Sequence, residues 1–229
     1  MWVFPLAAAG IAGMFCALLL RQFAQRRRPY QAFWAIALLM YAAASFALFL
    51  GVLDGWNAPE FKVYWLFGAV LTVPFLAQGE VHLLVRSRAV AYSLLGLLVV
   101  ATVFAAARVL SADVSQAVLA DSLPRGKEVF AADPYAHRMA QYYAYPTYAF
   151  LLFATLWSAW RMRGRPELRD RFLGTLAIAI GATIVAAGSA FAAAGMVLGF
   201  SITLTAGIAV MFIGFLRASR HVPAGARGT

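Results

Sequence analysis

Seven stretches of roughly twenty mostly apolar residues, each bounded by charged or turn-forming residues, decide what this chain can fold into. They cover 2–20, 31–53, 63–85, 89–110, 139–160, 172–194 and 196–216. A stretch of about 20 apolar residues spans a bilayer as a helix, and only helices or closed barrels satisfy their backbone groups in hydrocarbon. With 63% of the 229 residues hydrophobic and 12% charged, too little polar surface remains to cover a soluble globule of this size. The expected fold class is therefore all-α integral membrane protein: a seven-transmembrane-helix bundle forming one domain over 1–229. No basic residue precedes the first span, which begins at Trp2, so it lacks the basic head of a cleavable signal and is expected to remain in the mature protein.

Charge sets the orientation. The joins after spans one, three, five and seven hold 14 cations: Arg21, Arg26, Arg27 and Arg28; Arg86 and Arg88; Arg161, Arg163, Arg165, Arg169 and Arg171; Arg217, Arg220 and Arg227. The opposite joins hold five cations, Lys62, Arg108, Arg125, Lys127 and Arg138, against six acids, Asp54, Glu60, Asp113, Asp121, Glu128 and Asp133. By the positive-inside rule the N-terminus is outside and the C-terminus cytoplasmic, in a cell membrane, plasma or inner. The net charge of +10 is spread over short loops rather than gathered on a basic, aromatic-interleaved face. The expected partners are thus the lipid bilayer, anionic headgroups at the cytoplasmic loops and a membrane or cytoplasmic protein, and not nucleic acid. Cys16 is the only cysteine, which excludes disulfides within the chain and thiolate metal sites.

Most connections are short, and "VRSR" (85–88) makes spans three and four antiparallel neighbours. The exception is the extracytoplasmic loop 111–138. There Asp113 is expected to cap a short amphipathic helix carrying Val114, Val118 and Leu119, ended by Pro124 and Gly126; the loop is either a lid or an inert cover. The C-terminal tail, "RHVPAGARGT", is expected to fray. "RRRPY" (26–30) and "RGRPE" (163–167) echo one another at the heads of spans two and six, which would superpose spans 1–3 on 5–7 with span four as linker. Positive-inside charge and a helix-opening proline produce the same echo separately.

Span six repeats glycine every seven residues, at Gly174, Gly181, Gly188 and Gly195, and span seven offers Gly199, Thr203, Gly207 and Gly214. Such rows let two backbones approach closely, which matters in lipid because the hydrophobic effect does not drive helices together there. Gly174, Gly181, Gly188, Gly195 and Gly207 are therefore expected to pack spans six and seven. In span five, "MAQYYAYPTYAF" puts Gln141, Tyr145 and Tyr148 on one face; with Trp56 and Trp65 at the outer ends of spans two and three, they form the candidate ligand-binding wall. Placement in an interfacial aromatic belt accounts for the neighbouring Tyr142 and Tyr143, and also for Trp56 and Trp65.

"PFLAQGEVHLL" (74–84) places Gln78 and His82 on one helical face and Glu80 on the opposite one, so Glu80 and His82 cannot act as an acid–base dyad. Glu80 lies ~27 Å along the helix from Lys62 at ~1.5 Å per residue, near the cytoplasmic boundary. It is the only acid within any span. Three roles follow for it: an inner-rim ion pair with Arg86 or another cytoplasmic arginine, a carboxylate that snorkels to water, or a proton or cation site at an inner gate.

The seven-span outline resembles that of the rhodopsins, and "TAGIAVMFIGFLRASR" (205–220) resembles their last helix. That resemblance implies a retinal Schiff base on a lysine in the last helix, but the only lysines are Lys62 and Lys127, so a covalent retinal pigment is excluded. The orientation and 3+1+3 layout are similar to those of SWEET-type sugar transporters, without their Pro-Gln motif. Neither resemblance assigns a family. His82 lies alone near the inner rim, and His137 and His221 lie on opposite sides of the membrane, so they make no two-histidine haem site; no cofactor is expected and no metal. Without a catalytic motif, the expected function is a sensor or accessory subunit that binds an apolar or amphipathic ligand or a membrane partner from its outer face. The alternative is a small-solute transporter with Glu80 at the inner gate.

Overall fold

The structure, a computed structural model, describes residues 2–219; Arg220, His221, Arg227 and the tail expected to fray lie outside the described residues. The described residues form seven long helices: α1 (Val3–Arg26), α2 (Pro29–Asp54), α3 (Ala58–Leu84), α4 (Arg88–Ser111), α5 (Pro134–Met162), α6 (Arg169–Ala193) and α7 (Val197–Ala218). Six of them, all but α5, are long and apolar enough to cross a membrane, so the chain is a helical, multi-pass integral membrane protein.

Local chemistry sets most of the ends. Pro29 opens α2 after an extended Arg28, since its missing N–H is one the first helical turn leaves unpaired anyway. Helix α5 begins at Pro134, five residues before the apolar run, because the Asp133 carboxylate caps it by accepting from the Tyr135 and Ala136 amides. Within α3 the stretch Tyr64–Leu71 is wound as a π-helix. Pro74 supplies the cause: its ring cannot sit against the carbonyl four residues back, and the widened turn upstream relieves that clash. Thr72 closes the bulge by donating its hydroxyl to the Phe67 carbonyl at 2.7 Å.

Neighbouring helices alternate in direction. Trp2 at the start of α1 meets Phe49 near the end of α2; Lys62 at the start of α3 donates to the Leu110 carbonyl at the end of α4; Arg108 pairs with Asp133; and Thr205 near the start of α7 donates to the Phe4 carbonyl. The starts of α1, α3, α5 and α7 thus share one end with the segment 112–133. The other end carries the exposed arginines of the joins after α1, α3 and α5, and is called here the arginine end.

The packing order is a closed ring in which α1 lies on α2, α2 on α3, α3 on α5, α5 on α6, α6 on α7, and α7 back on α1. Helix α4 stands outside it against α3 and α5, with Leu97, Val100, Val103 and Phe104 exposed as a lipid-facing surface requires. Leu19, Leu48, Leu71 and Ile208 fill the interior, and Tyr41 crosses it to donate to the Leu204 carbonyl at 2.9 Å.

The closest seam joins α6 to α7. A Cβ at Gly174 would lie 2.4 Å from the Gly214 carbonyl oxygen, one at Gly181 2.5 Å from that of Gly207, and one at Gly188 2.4 Å from the Thr203 hydroxyl. Gly207 faces back at Val185 and the Gly181 carbonyl. Gly195 does not belong to this row. Helix α6 stops at Ala193, and Gly195 takes φ +70° to turn the chain into α7, a left-handed conformation that glycine adopts without penalty.

The segment between α4 and α5 also departs from expectation. Asp113 caps nothing, and in place of an amphipathic helix there is one 3-10 turn, Val118–Ala120, and one helical turn, Gly126–Val129, which Gly126 begins rather than ends. The apolar residues expected to line a helix face instead turn separately into the bundle, which leaves the backbone to follow that surface.

Candidate functional site

At the end carrying the N-terminus, α2 and α3 present an aromatic floor. Trp56 lies edge-on to Phe61, with ring centroids 5.6 Å apart, and Phe61 stacks on Trp65 at 6.0 Å, one helical turn further along α3. The segment 112–133 covers this floor. Phe130 is wholly buried with its ring 5.7 Å from Phe61 and 5.8 Å from Trp65, while Leu119, Leu123 and Val129 are buried around it. The indoles use their only donors here: Trp56 Nε1 fastens the cover by donating to the Ser122 carbonyl at 3.2 Å, and Trp65 Nε1 donates to the Ala136 carbonyl in the first turn of α5 at 3.1 Å. Gly126 is required beneath Trp65, because a Cβ there would lie 2.1 Å from the indole ring.

Two ion pairs lie at the rim. Asp133, while capping α5, also accepts from Arg108 at 2.7 Å, and Arg125 pairs with Glu128 at 3.0 Å. His137 lies against Trp65, ring centroids 5.8 Å apart, with Nδ1 buried and unpartnered. Burial first, and then the charges of Lys127 and Arg138, hold its pKa below the usual histidine value. Beside the cover an open groove of about 500 Å³ runs along the start of α7, lined by Ser122, Met196, Val197, Leu198, Gly199 and Ile202.

The candidate wall is divided between two places. Trp56 and Trp65 meet in the floor through Phe61, whereas Gln141 and Tyr145 are exposed on the outward face of α5. Tyr148 turns along α5 to donate to the Thr183 hydroxyl of α6 at 3.0 Å. The face of α5 that carries Gln141, Tyr145 and Tyr148 looks outward and towards α6, away from α3.

At the arginine end, Gln78 donates to the Ala91 carbonyl at 3.1 Å, and His82 Nδ1 lies 2.9 Å from the Gln78 carbonyl while its ring stacks on Phe33. Glu80 is buried on the other side of α3. The expected pair with Arg86 is not formed, and no other cation of the described residues lies within ion-pairing distance. Helix α3 ends at Leu84, so Arg86 is exposed beyond it; even on a continued helix, six residues at ~100° each would place Arg86 about 120° from Glu80.

Phe130 and Gln31 are the site residues the sequence reading passed over. "VF" at 129–130 is an apolar pair inside an otherwise polar segment, and Gln31 is a polar residue in the first turn of an apolar span; both signals were present. No protein-family model matches this chain, and no curated protein and no solved structure matches it.

Proposed function

We propose that this chain crosses the membrane seven times, N-terminus outside and C-terminus in the cytoplasm, and works without catalysis of its own as a sensor or accessory subunit in a cell membrane. The seventh crossing is α5. Its exposed Tyr142 and Tyr145 near one end and Trp157 and Trp160 near the other suit two interfacial belts, 15 residues or ~22 Å apart at ~1.5 Å per residue. The excess of arginine at the opposite end from the cover supports the orientation. In a background with Cys16→Ser, an impermeant thiol reagent on whole cells should label Ala132→Cys and spare Arg163→Cys; the reverse pattern would reject it.

The observation that carries the functional reading is Phe130 seated in the Phe61–Trp65 cage. An aromatic side chain of the cover fills the place an apolar ligand would take, and the segment bearing it has only two single turns of regular structure. An amphipathic ligand that displaces Phe130 lifts the cover, and output passes to a partner protein along the exposed face of α5 that includes Gln141 and Tyr145. A pyrene-labelled fatty acid is a suitable probe. It should bind saturably, and more tightly to Phe130→Ala, which removes the internal competitor. Absence of saturable binding in both proteins would leave a structural subunit only.

One observation favours the transporter reading. Helix α4 lies outside a ring of α1–α3 and α5–α7, as the linker of a 3+1+3 repeat would. Superposition of α1–α3 on α5–α7 tests it, and unaltered proton-dependent uptake in Glu80→Gln would remove Glu80 from that mechanism.

A further inference from the structure

Two buried side chains at the arginine end lack the partners that burial demands. Glu80 of α3 is 6% exposed, with no cation of the described residues in ion-pairing distance. Gln31 of α2 is 0% exposed; its Nε2 donates to Gln22 of α1 at 3.2 Å, while its Oε1 is buried without any hydrogen-bond partner. A buried acceptor without a donor and a buried carboxylate without a cation are each costly, more so in a membrane bundle.

Helix geometry puts the two at one level. Trp34 donates to the Leu76 carbonyl at 3.2 Å and its ring lies against Gly79, which fixes the register of the antiparallel α2 and α3. Gln31 lies three residues beyond Trp34 towards the arginine end and Glu80 one residue beyond Gly79, so they are level to within ~3 Å at ~1.5 Å per residue. Glu80 points away from the flank of α3 where Gln78 and His82 meet α4 and Phe33, by about 160° at ~100° per residue, and so looks into the ring. Gln31 shares its face of α2 with the buried Ala35 and Leu38. The bond to Gln22 commits the Gln31 amide group, which leaves Oε1 as the atom presented inward.

We propose that Glu80 and Gln31 form a binding site for a monovalent cation, H⁺ or Na⁺, at the arginine end of the ring. A proton on the Glu80 carboxylate creates an O–H that donates to Gln31 Oε1, so one ion satisfies both groups. Na⁺ does the same through carboxylate and amide oxygens, the hard donors it prefers. The other titratable and charged groups at this end of the helices packed against α3 are exposed or packed elsewhere. Arg28, Arg88 and Arg161 are exposed, Tyr30 packs on Trp34, and Tyr92 packs on His82, which itself lies on the opposite flank of α3. The site is at the far end of the molecule from the cover and does not depend on ligand binding there.

Infrared spectra and thermal melting of the purified full-length protein, in NaCl and in choline chloride, test the proposal on wild type, Glu80→Gln and Gln31→Met. If the ion is H⁺, wild type shows the carbonyl stretch of a protonated carboxyl at neutral pH; the band vanishes in Glu80→Gln and shifts in Gln31→Met, which keeps the carboxyl but loses its acceptor. If the ion is Na⁺, the band is absent, and Na⁺ raises the melting temperature of wild type but of neither variant. Wild type with neither signal overturns the site without recourse to any variant. So does either signal persisting unchanged in Gln31→Met.

Discussion

Gly181→Ala and Gly96→Ala make the same chemical change in two helices and should move stability in opposite directions. At Gly96, on the exposed face of α4, an added Cβ meets nothing within 4 Å. Only the propensity gain applies there, about 0.5–1 kcal/mol of stabilisation. At Gly181 the added Cβ would stand 2.5 Å from both the Gly207 carbonyl oxygen and Met211 Cγ, and 2.8 Å from the Met211 amide nitrogen. Two of these atoms are backbone, so no rotamer change clears them and α6 and α7 must separate by ~1 Å. A gap of that size forfeits a quarter to a half of each dispersion contact, each worth about 0.1–0.2 kcal/mol, along a seam of some tens of atom pairs. That amounts to about 1–3 kcal/mol, the usual cost of overpacking, and it exceeds the propensity gain. Gly188→Ala should cost less than Gly181→Ala, because the nearest atom it meets is the Thr203 hydroxyl on a side chain. Unfolding in mixed micelles, followed by circular dichroism, gives the differences. If Gly181→Ala and Gly96→Ala stabilise equally, the close approach of α6 and α7 is wrong.

The cover supplies three further tests. Asp133→Ala removes both the α5 cap, worth ~1 kcal/mol, and the partner of the half-exposed Arg108, worth little more, and should speed proteolysis within 112–133 without unfolding the bundle. Gly126→Leu should displace Trp65 and cost about 1–3 kcal/mol, read as a shifted tryptophan emission and faster amide exchange in the cover; unchanged emission would place Gly126 elsewhere. His137 gives a pH dependence. Its pKa is lowered in the folded protein, so the undocked segment takes up a proton first; docking carries no protonation penalty above the ordinary value of 6.5 and weakens as pH falls below it towards the lowered folded value. Protection of the 112–137 amides, corrected for the intrinsic pH dependence of exchange, should therefore fall between about pH 7.5 and 5.5, and His137→Phe should flatten that profile.

Features set by local chemistry were legible. Apolar length marks six crossing helices because the bilayer imposes it, and the seven-residue glycine spacing of α6 marks a face because the helix repeat imposes it. What failed depended on events the local pattern does not encode. Gly195 fits the spacing, yet the helix stops two residues before it, and only the chain's need to turn reveals its role. Asp113 has no helix to cap, whereas Asp133 caps α5, because the conformation of 112–133 is set by contacts such as Trp56 to Ser122, 66 residues apart. Which way the face of Gln141, Tyr145 and Tyr148 looks depends on where α5 enters the ring, which no local pattern states.

The same distinction bears on α4, whose position no periodicity announces. It is barely buried and lies outside the ring, and three side chains of the ring reach its backbone: Gln78 to the Ala91 carbonyl at 3.1 Å, Tyr143 to that of Ala101 at 2.9 Å, and Lys62 to that of Leu110 at 2.8 Å. These fall near its start, middle and end, so polar fastenings along its whole length replace the close seam that glycine gives α6 and α7. Interhelical hydrogen bonds in membranes are worth about 0.6 kcal/mol on average and seldom above 2, which makes α4 the long helix that moves at least cost. It also carries the start of the cover at Ser111, so displacing the cover and shifting α4 are mechanically linked. Gln78→Leu combined with Tyr143→Phe should quicken amide exchange across α4 and within 112–133 together, while the amides of α6 and α7 keep their protection. Faster exchange confined to α4 would break the link between the helix and the cover.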